Sequence, residues 1–121
     1  MKSVETIQKG FLKMGNEKNF ENRVKNFLKS ENCWFVKFFA NAYTKAGIPD
    51  ILASVNGFFV GIEVKADEGR PSELQLYNVQ EIRKSGGFAW IVYPSGFEKL
   101  KQKIIDLRQE IFCREDEVIL K

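Results

Sequence analysis

The stretch GIPDILASVNGFFVGIEVK, residues 47–65, decides how this chain folds. Apolar runs flank Asn56-Gly57, and Asn-Gly in such a setting is a strong signal for a β-hairpin turn. We expect antiparallel strands over residues 50–54 and 58–65. Pairing about the turn sets Asp50 opposite Glu63, within one or two residues of register.

Three ionisable side chains, Asp50, Glu63 and Lys65, interrupt this apolar stretch. Glu63 and Lys65 point to the same face of their strand, and the hairpin brings Asp50 close to them. Neighbouring carboxylates repel unless a cation neutralises them, and Mg²⁺ accepts one or two carboxylates while keeping water and phosphate oxygens as further ligands. We expect a divalent cation here, with Lys65 orienting or deprotonating a water or stabilising charge on phosphorus. The alternative is an exposed Glu63–Lys65 ion pair and an Asp50 that caps a turn.

The composition narrows the possible functions. The chain has 121 residues, 44% of them hydrophobic, which suits one domain with its own core. It contains no histidine, so triads with an imidazole base are excluded. Cys33 and Cys113 suggest neither a zinc site nor a disulfide framework. The N-terminus lacks a signal-peptide pattern and no window is long and apolar enough for a membrane span, so we expect a cytoplasmic protein, in the host cytoplasm if the chain is encoded by a virus.

Charge is distributed unevenly along the chain. Residues 1–37 carry eight Lys or Arg against four Glu, whereas residues 87–121 carry six against six acidic residues. An excess of this kind suits an anionic partner such as nucleic acid, and an ordinary Lys-rich surface would explain it nearly as well.

Helical and extended patterns surround the hairpin. Residues 1–15 form a candidate N-terminal arm with a weak helical segment that Gly10 interrupts. From Asn16 as N-cap to about Lys29, apolar residues follow the helical period. Residues 33–39 are extended in character, and a polar loop leads from them to Pro49.

The second half of the chain adds two helices and a buried strand. A capping-box pattern of Ser72 and Gln75 opens a helix that stops at Gly86-Gly87. Residues 88–93 form an apolar run typical of a strand covered on both faces. Ser95 with Glu98 predicts a further cap and a C-terminal helix, and residues 117–120 form a short strand or a docked end. The order predicts a single α/β domain with a mixed sheet, its core over residues 16–93 and a helix and tail over 94–121.

These motifs together resemble the PD-(D/E)XK nucleases. Pro49-Asp50, followed after twelve residues by Glu63-Val64-Lys65, looks like the motif that names that superfamily, whose core has the order αβββαβ. Within the superfamily, the chain is most similar to the virus-type replication-repair nuclease domain, VRR-NUC. The similarity lies in three segments: Gly47 to Asp50, Glu63 to Lys65 and Ser72 to Gln75. Archaeal Holliday-junction resolvases are similar in size and layout. The resemblance covers residues 17–93, and it implies a restriction-endonuclease-like core.

The resemblance also implies roles for single residues. Asp50, Glu63 and the backbone carbonyl of Val64 would bind Mg²⁺, for which Mn²⁺ would substitute, and Lys65 would be the catalytic lysine. A glutamate of the first helix often joins such sites; Glu21 fits this role, but it fits equally well as a residue at the edge of an apolar stripe. Gln75 matches a glutamine of the family, and its place in a capping box would also explain it.

The expected partner is DNA. Tyr43, Thr44 and Lys45 precede Asp50 in a polar loop, and Arg70 precedes the second helix, so all four are candidate phosphate contacts; a solvated loop is an equal explanation for the first three. The resemblance implies an endodeoxyribonuclease acting on branched DNA such as a Holliday junction, as a homodimer and without a membrane partner. The alternatives are a nucleic-acid-binding module without turnover and a small restriction or mismatch endonuclease that cuts linear duplex.

Overall fold

The β-hairpin forms as its sequence predicts. In a computed structural model that describes residues 4–112 and 117–121, with side chains from residue 15 onward, Asn56 and Gly57 have φ values of 52° and 84°. Two consecutive positive φ angles are the requirement of a type I′ turn, whose twist matches that of the flanking strands. The strands pair Ile51 with Ile62 and Val55 with Phe58. Continued by one residue, this register sets Asp50 opposite Glu63, as expected.

A mixed sheet grows outward from the hairpin in sequence order. Its five strands run β1-β2-β3-β4-β5, with antiparallel pairing from β1 to β3 and parallel pairing from β3 to β5. The elements are α1 (Val4–Ser30), β1 (Trp34–Lys37), β2 (Ile51–Val55), β3 (Phe58–Val64), α2 (Glu73–Lys84), β4 (Phe88–Val92), a 3₁₀ turn (Pro94–Gly96), α3 (Phe97–Arg108) and β5 (Ile119–Leu120). The predicted α/β class, mixed sheet and order of elements are confirmed.

Helices cover the two faces of the sheet unequally. The larger core lies between the sheet and the pair α1 and α3, where Val24, Leu28 and Leu100 are fully buried. A smaller core lies on the other face, where Val79 of α2 packs with Ala89 and Ile91 of β4. β4 is buried along its whole length, which explains its unbroken apolar run.

The first helix is longer than predicted. It runs without a break from Val4, so Gly10 does not interrupt it and Asn16 is an interior residue rather than an N-cap. A single glycine costs about 1 kcal/mol in a helix, which good helix formers on both sides offset. The expected arm is therefore the first part of α1, apart from residues 1–3, which lie outside the described residues.

The C-terminal part differs from the prediction in two details. Ser95 does not cap α3, because Pro94–Gly96 form a 3₁₀ turn and the helix begins at Phe97 without a side-chain cap. The tail is a strand rather than a docked end, since Ile119 and Leu120 pair with β4. Cys33 is a buried free thiol, whereas Cys113 lies outside the described residues.

None of the helices in the described ranges combines the length and the apolar composition that crossing a membrane requires.

Candidate metal centre

Asp50 and Glu63 meet at the end of the hairpin farthest from its turn. Asp50 immediately precedes β2, and its Oδ2 accepts a hydrogen bond of 3.0 Å from the backbone N–H of Val64. This bond ties the aspartate to β3 beside Glu63. The two carboxylates that the sequence placed opposite each other thus share one small volume.

Glu63 is a buried acid with one oxygen left over. The residue is only 2% exposed, and its Oε1 accepts a bond of 2.9 Å from the Gln75 amide. Oε2 is the one buried side-chain oxygen or nitrogen without a hydrogen-bond partner in the described part of the chain. Burial, followed by the nearby charge of Asp50, raises the pKa of Glu63 to about 8. A proton shared with Asp50, or a cation, would satisfy the free oxygen.

Lys65 stands on the same face of β3 as Glu63. Its Nζ lies 3.5 Å from Glu63 Oε1, and the two side chains are only 14% and 3% exposed. The exposed ion pair that would have explained Glu63 and Lys65 without a site is therefore wrong, because Glu63 is buried and Lys65 is largely shielded from water. A buried pair beside a second acid is costly to maintain, which favours a functional explanation.

Gln75 completes the capping box and also contacts Glu63, while a catalytic role for it stays a prediction. Its backbone N–H donates to Ser72 Oγ and its Oε1 accepts from the Ser72 N–H, which completes the capping box of α2. The other half of the amide donates to Glu63. The helix cap thus positions an amide that orients the buried carboxylate.

Glu21 is linked to Asp50 through an ammonium group that lies between them. Its Oε1 is bound to Lys37 Nζ, which also lies 3.3 Å from Asp50 Oδ1, and its Oε2 pairs with Lys25 at 3.1 Å. Burial opposes ionisation of Glu21, but the hydrogen bonds from Lys37 and Lys25 outweigh it and lower its pKa. Glu21 therefore points towards Asp50, with Lys37 between the two carboxylates. A role for Glu21 in binding a metal stays a prediction.

Two residues near the site were missed by sequence analysis. Lys37 ends β1, pairs with Ile51, and so lies next to Asp50. Glu17 lies one turn before Glu21; it is exposed, but the loss of hydration beside its carboxyl group raises its pKa and the charge of Asp50 adds to the rise. A signal existed for each: Lys37 is the lone charge in an aromatic strand, and Glu17 shares a helical face with Glu21.

Of the remaining candidates, four lie outside the hairpin strands, whereas Val64 is part of β3. Tyr43 and Lys45 are exposed, and the Thr44 hydroxyl accepts from the Asn41 N–H and so serves the loop itself. Arg70 is exposed ahead of the α2 N-terminus. Val64 buries its side chain in the larger core, and its N–H serves Asp50. A role for its carbonyl in binding a metal stays a prediction.

The loop before Asp50 packs closely against α2. Gly47 has a φ of +78°, and a Cβ at this residue would lie 2.7 Å from the backbone carbonyl carbon of Leu74. The buried Asn78 side chain donates to the Ala46 carbonyl at 3.1 Å. These contacts fix where the chain enters β2, and hence where Asp50 stands.

The donor set suits a hard divalent cation with an incomplete protein shell. Among the side chains that the structure describes, those of residues 15–112 and 117–121, no three Asp, Glu, Cys or His residues form a group able to hold a metal by themselves. Asp50 and Glu63 offer two carboxylates, and Mg²⁺ is commonly held by one or two carboxylates together with water and substrate oxygens. The unpartnered Oε2 of Glu63 is the feature that fits such an ion best.

Comparisons with known proteins give no family. No family model matches the chain, and neither the curated proteins nor the solved structures include a match.

Proposed function

We propose that this protein is a Mg²⁺-dependent endodeoxyribonuclease with a PD-(D/E)XK-type core, able to use Mn²⁺ as well. The observation that carries the proposal is the buried Glu63 with its unpartnered oxygen, held beside Asp50 and next to Lys65. A core of the αβββαβ type accounts for this arrangement, because it brings an acid before one hairpin strand next to an E-x-K sequence on the other.

In the proposed hydrolysis of a phosphodiester bond, the site residues have separate roles. Asp50 and Glu63 would hold the cation, which supplies Lewis-acid polarisation of a phosphate oxygen and lowers the pKa of a bound water. Gln75 keeps Glu63 in position through its amide. The Lys65 ammonium is placed to orient a water or to neutralise charge that grows on the phosphate in the transition state.

The substrate proposed is branched DNA. A resolvase must cut two strands symmetrically, and a two-fold dimer offers two equivalent sites for that purpose, so we expect a homodimer. We propose that four residues contact the phosphate backbone of the DNA: the exposed Lys45 and Arg70, together with Tyr43 and Thr44.

Cleavage assays with site variants test the proposal. The full chain with Mg²⁺ is expected to nick supercoiled plasmid and to cut a synthetic four-way junction. Asp50→Asn and Glu63→Gln should abolish cleavage but keep junction binding, because each removes negative charge with little change in volume. Lys65→Ala should lower the rate by about 10²–10³, the usual loss when a group that stabilises charge in the transition state is removed.

A matched control separates the site from surface charge. Glu98→Gln removes an acid whose side chain is 85% exposed and pairs with Lys101 at 3.1 Å, so its cleavage rate should equal that of the wild type. Wild-type rates in all three site variants would refute the assignment.

The same experiment separates the alternatives. A binding module without turnover would shift the junction and leave the plasmid intact. A restriction or mismatch endonuclease would cut linear duplex at defined positions and show no preference for the junction.

A further inference from the structure

The two oxygens of Asp50 are held in different ways. Oδ2 accepts the Val64 N–H, a backbone group fixed within the hairpin. Oδ1 lies 3.3 Å from the ammonium of Lys37, which sits at the end of a flexible side chain. Movement of the Lys37 side chain can therefore free Oδ1 with the Asp50 side chain in place, whereas freeing Oδ2 would break the hydrogen bond with the Val64 N–H.

Lys37 also has a second carboxylate within reach. Its ammonium contacts Glu21 Oε1 on α1, so the group bridges the helix and the start of β2. The Lys37 side chain is 23% exposed, which keeps much of the bridge out of water and limits screening. Without Lys37, Glu21 and Asp50 would face each other with no cation between them.

We infer that Lys37 is an internal counter-ion that a divalent cation displaces from Asp50. In the metal-free protein it neutralises Asp50 and Glu21 together; when a divalent cation is bound at Asp50 and Glu63, Lys37 stays with Glu21 and releases Oδ1. The inference rests on the metal site of the proposed function. It adds that the Lys37 ammonium competes with the divalent cation for Asp50 Oδ1.

Variants of two lysines test this directly by metal binding. Lys37→Met keeps most of the side-chain volume and removes the charge, whereas Lys25→Met removes a charge that contacts Glu21 at 3.1 Å but not Asp50. Free Mn²⁺ is counted by electron paramagnetic resonance during titration of each full-length protein. Lys37→Met should bind Mn²⁺ about tenfold more tightly than wild type, the order expected when one nearby like charge is removed. Lys25→Met should match wild type within about twofold.

A second measurement does not depend on the variant folding. In wild-type protein with ¹⁵N-labelled lysine, saturating Mg²⁺ should shift the Nζ resonance of Lys37 and leave that of Lys25 in place. A Lys37 resonance that does not respond to bound Mg²⁺ would overturn the inference.

The outcomes also separate this inference from the proposed function. If wild type binds Mn²⁺, Asp50→Asn abolishes binding, and Lys37→Met binds equally or more weakly, Lys37 holds Asp50 in place and is no competitor. If wild type binds no Mn²⁺ at all, the metal site itself is refuted, and the counter-ion role with it.

Discussion

At the scale of single residues, Glu63 is the group whose placement most needs an explanation. An ionised carboxylate that is 2% exposed loses its hydration, and a single amide and one ammonium at 3.5 Å do not satisfy both of its oxygens. The protein then has two ways to hold it, either with a proton or with a bound cation. Both have measurable consequences.

The stability of the metal-free protein should fall as the pH rises. Because the pKa of Glu63 is raised from 4.5 to about 8 in the folded state, folding favours the protonated acid. The stabilisation is complete below about pH 4.5 and is lost as the pH rises through about 8, at about 1.4 kcal/mol for each unit of pKa difference. Urea unfolding in a chelator between pH 5 and 8.5 should show wild type losing stability relative to Glu63→Gln.

Added Mg²⁺ should reverse this trend, because a cation binds the ionised acid. The groups that face Glu63 are Asp50, Lys65 and Gln75, so the comparison with Glu63→Gln removes the contribution of the remaining titrating groups. A difference between the two proteins that stays flat with pH would contradict a buried acid with a raised pKa.

The sequence predicts some of the residues of the candidate metal centre and not others, for a physical reason. Asp50 and Glu63 are related by a two-residue turn, so counting from Asn56-Gly57 suffices to set them opposite each other. Lys37 reaches the site through the pairing of β1 with β2 across the loop between them, and loop length does not fix that register. Glu17 and Glu21 depend on how α1 rotates over the sheet, which tertiary packing decides.

At the scale of elements, the start of α2 combines a structural and a positioning task. The capping box uses Ser72 and one side of the Gln75 amide, while the other side holds Glu63. Ser72→Ala should lower the free energy of unfolding by about 1 kcal/mol without changing cleavage, because it keeps the Ser72 backbone N–H that holds the Gln75 amide. Gln75→Ala should cost a similar stability and also lower the cleavage rate. Chemical denaturation and junction cleavage on both variants provide the comparison, and equal rates in the two would contradict a positioning role for Gln75.

A second prediction at this scale concerns the loop that precedes Asp50. Gly47→Ala should destabilise the protein by about 1–3 kcal/mol, because its φ of +78° and the nearby Leu74 backbone both oppose a Cβ. Gly57→Ala is the matched control: it has a similar φ of +84° but open space around it, so it should cost only about 1 kcal/mol. Equal losses measured by urea unfolding would show that the contact with α2 does not matter.

Element boundaries were predicted less well than element types. The capping box of α2 and the turn of the hairpin are local signals that the fold leaves unchanged. The start of α1 was misplaced because one glycine and one asparagine are weak breakers in a long helix. The cap of α3 was misplaced because Pro94 directs its neighbours into a 3₁₀ turn first.

At the scale of the whole molecule, the mixed sheet brings together the two site carboxylates, the two lysines beside them and the amide at the start of α2. The antiparallel hairpin supplies Asp50, Glu63 and Lys65, β1 supplies Lys37, and α2 closes the far side with Gln75. The α/β class and the order of elements were predictable from hydrophobic period and turn signals. The position of Lys37 beside the charges of the hairpin was not, because the register of β1 depends on tertiary packing.

One measurement tests the central claim most directly: a crystal structure of the protein soaked in Mn²⁺, with the ion located by its anomalous scattering. We predict an ion bound by carboxylate oxygens of Asp50 and Glu63, with Lys37 moved away from Asp50. Bound Mn²⁺ elsewhere, or none at saturating concentration while Glu63 keeps its contacts with Gln75 and Lys65, would contradict the account.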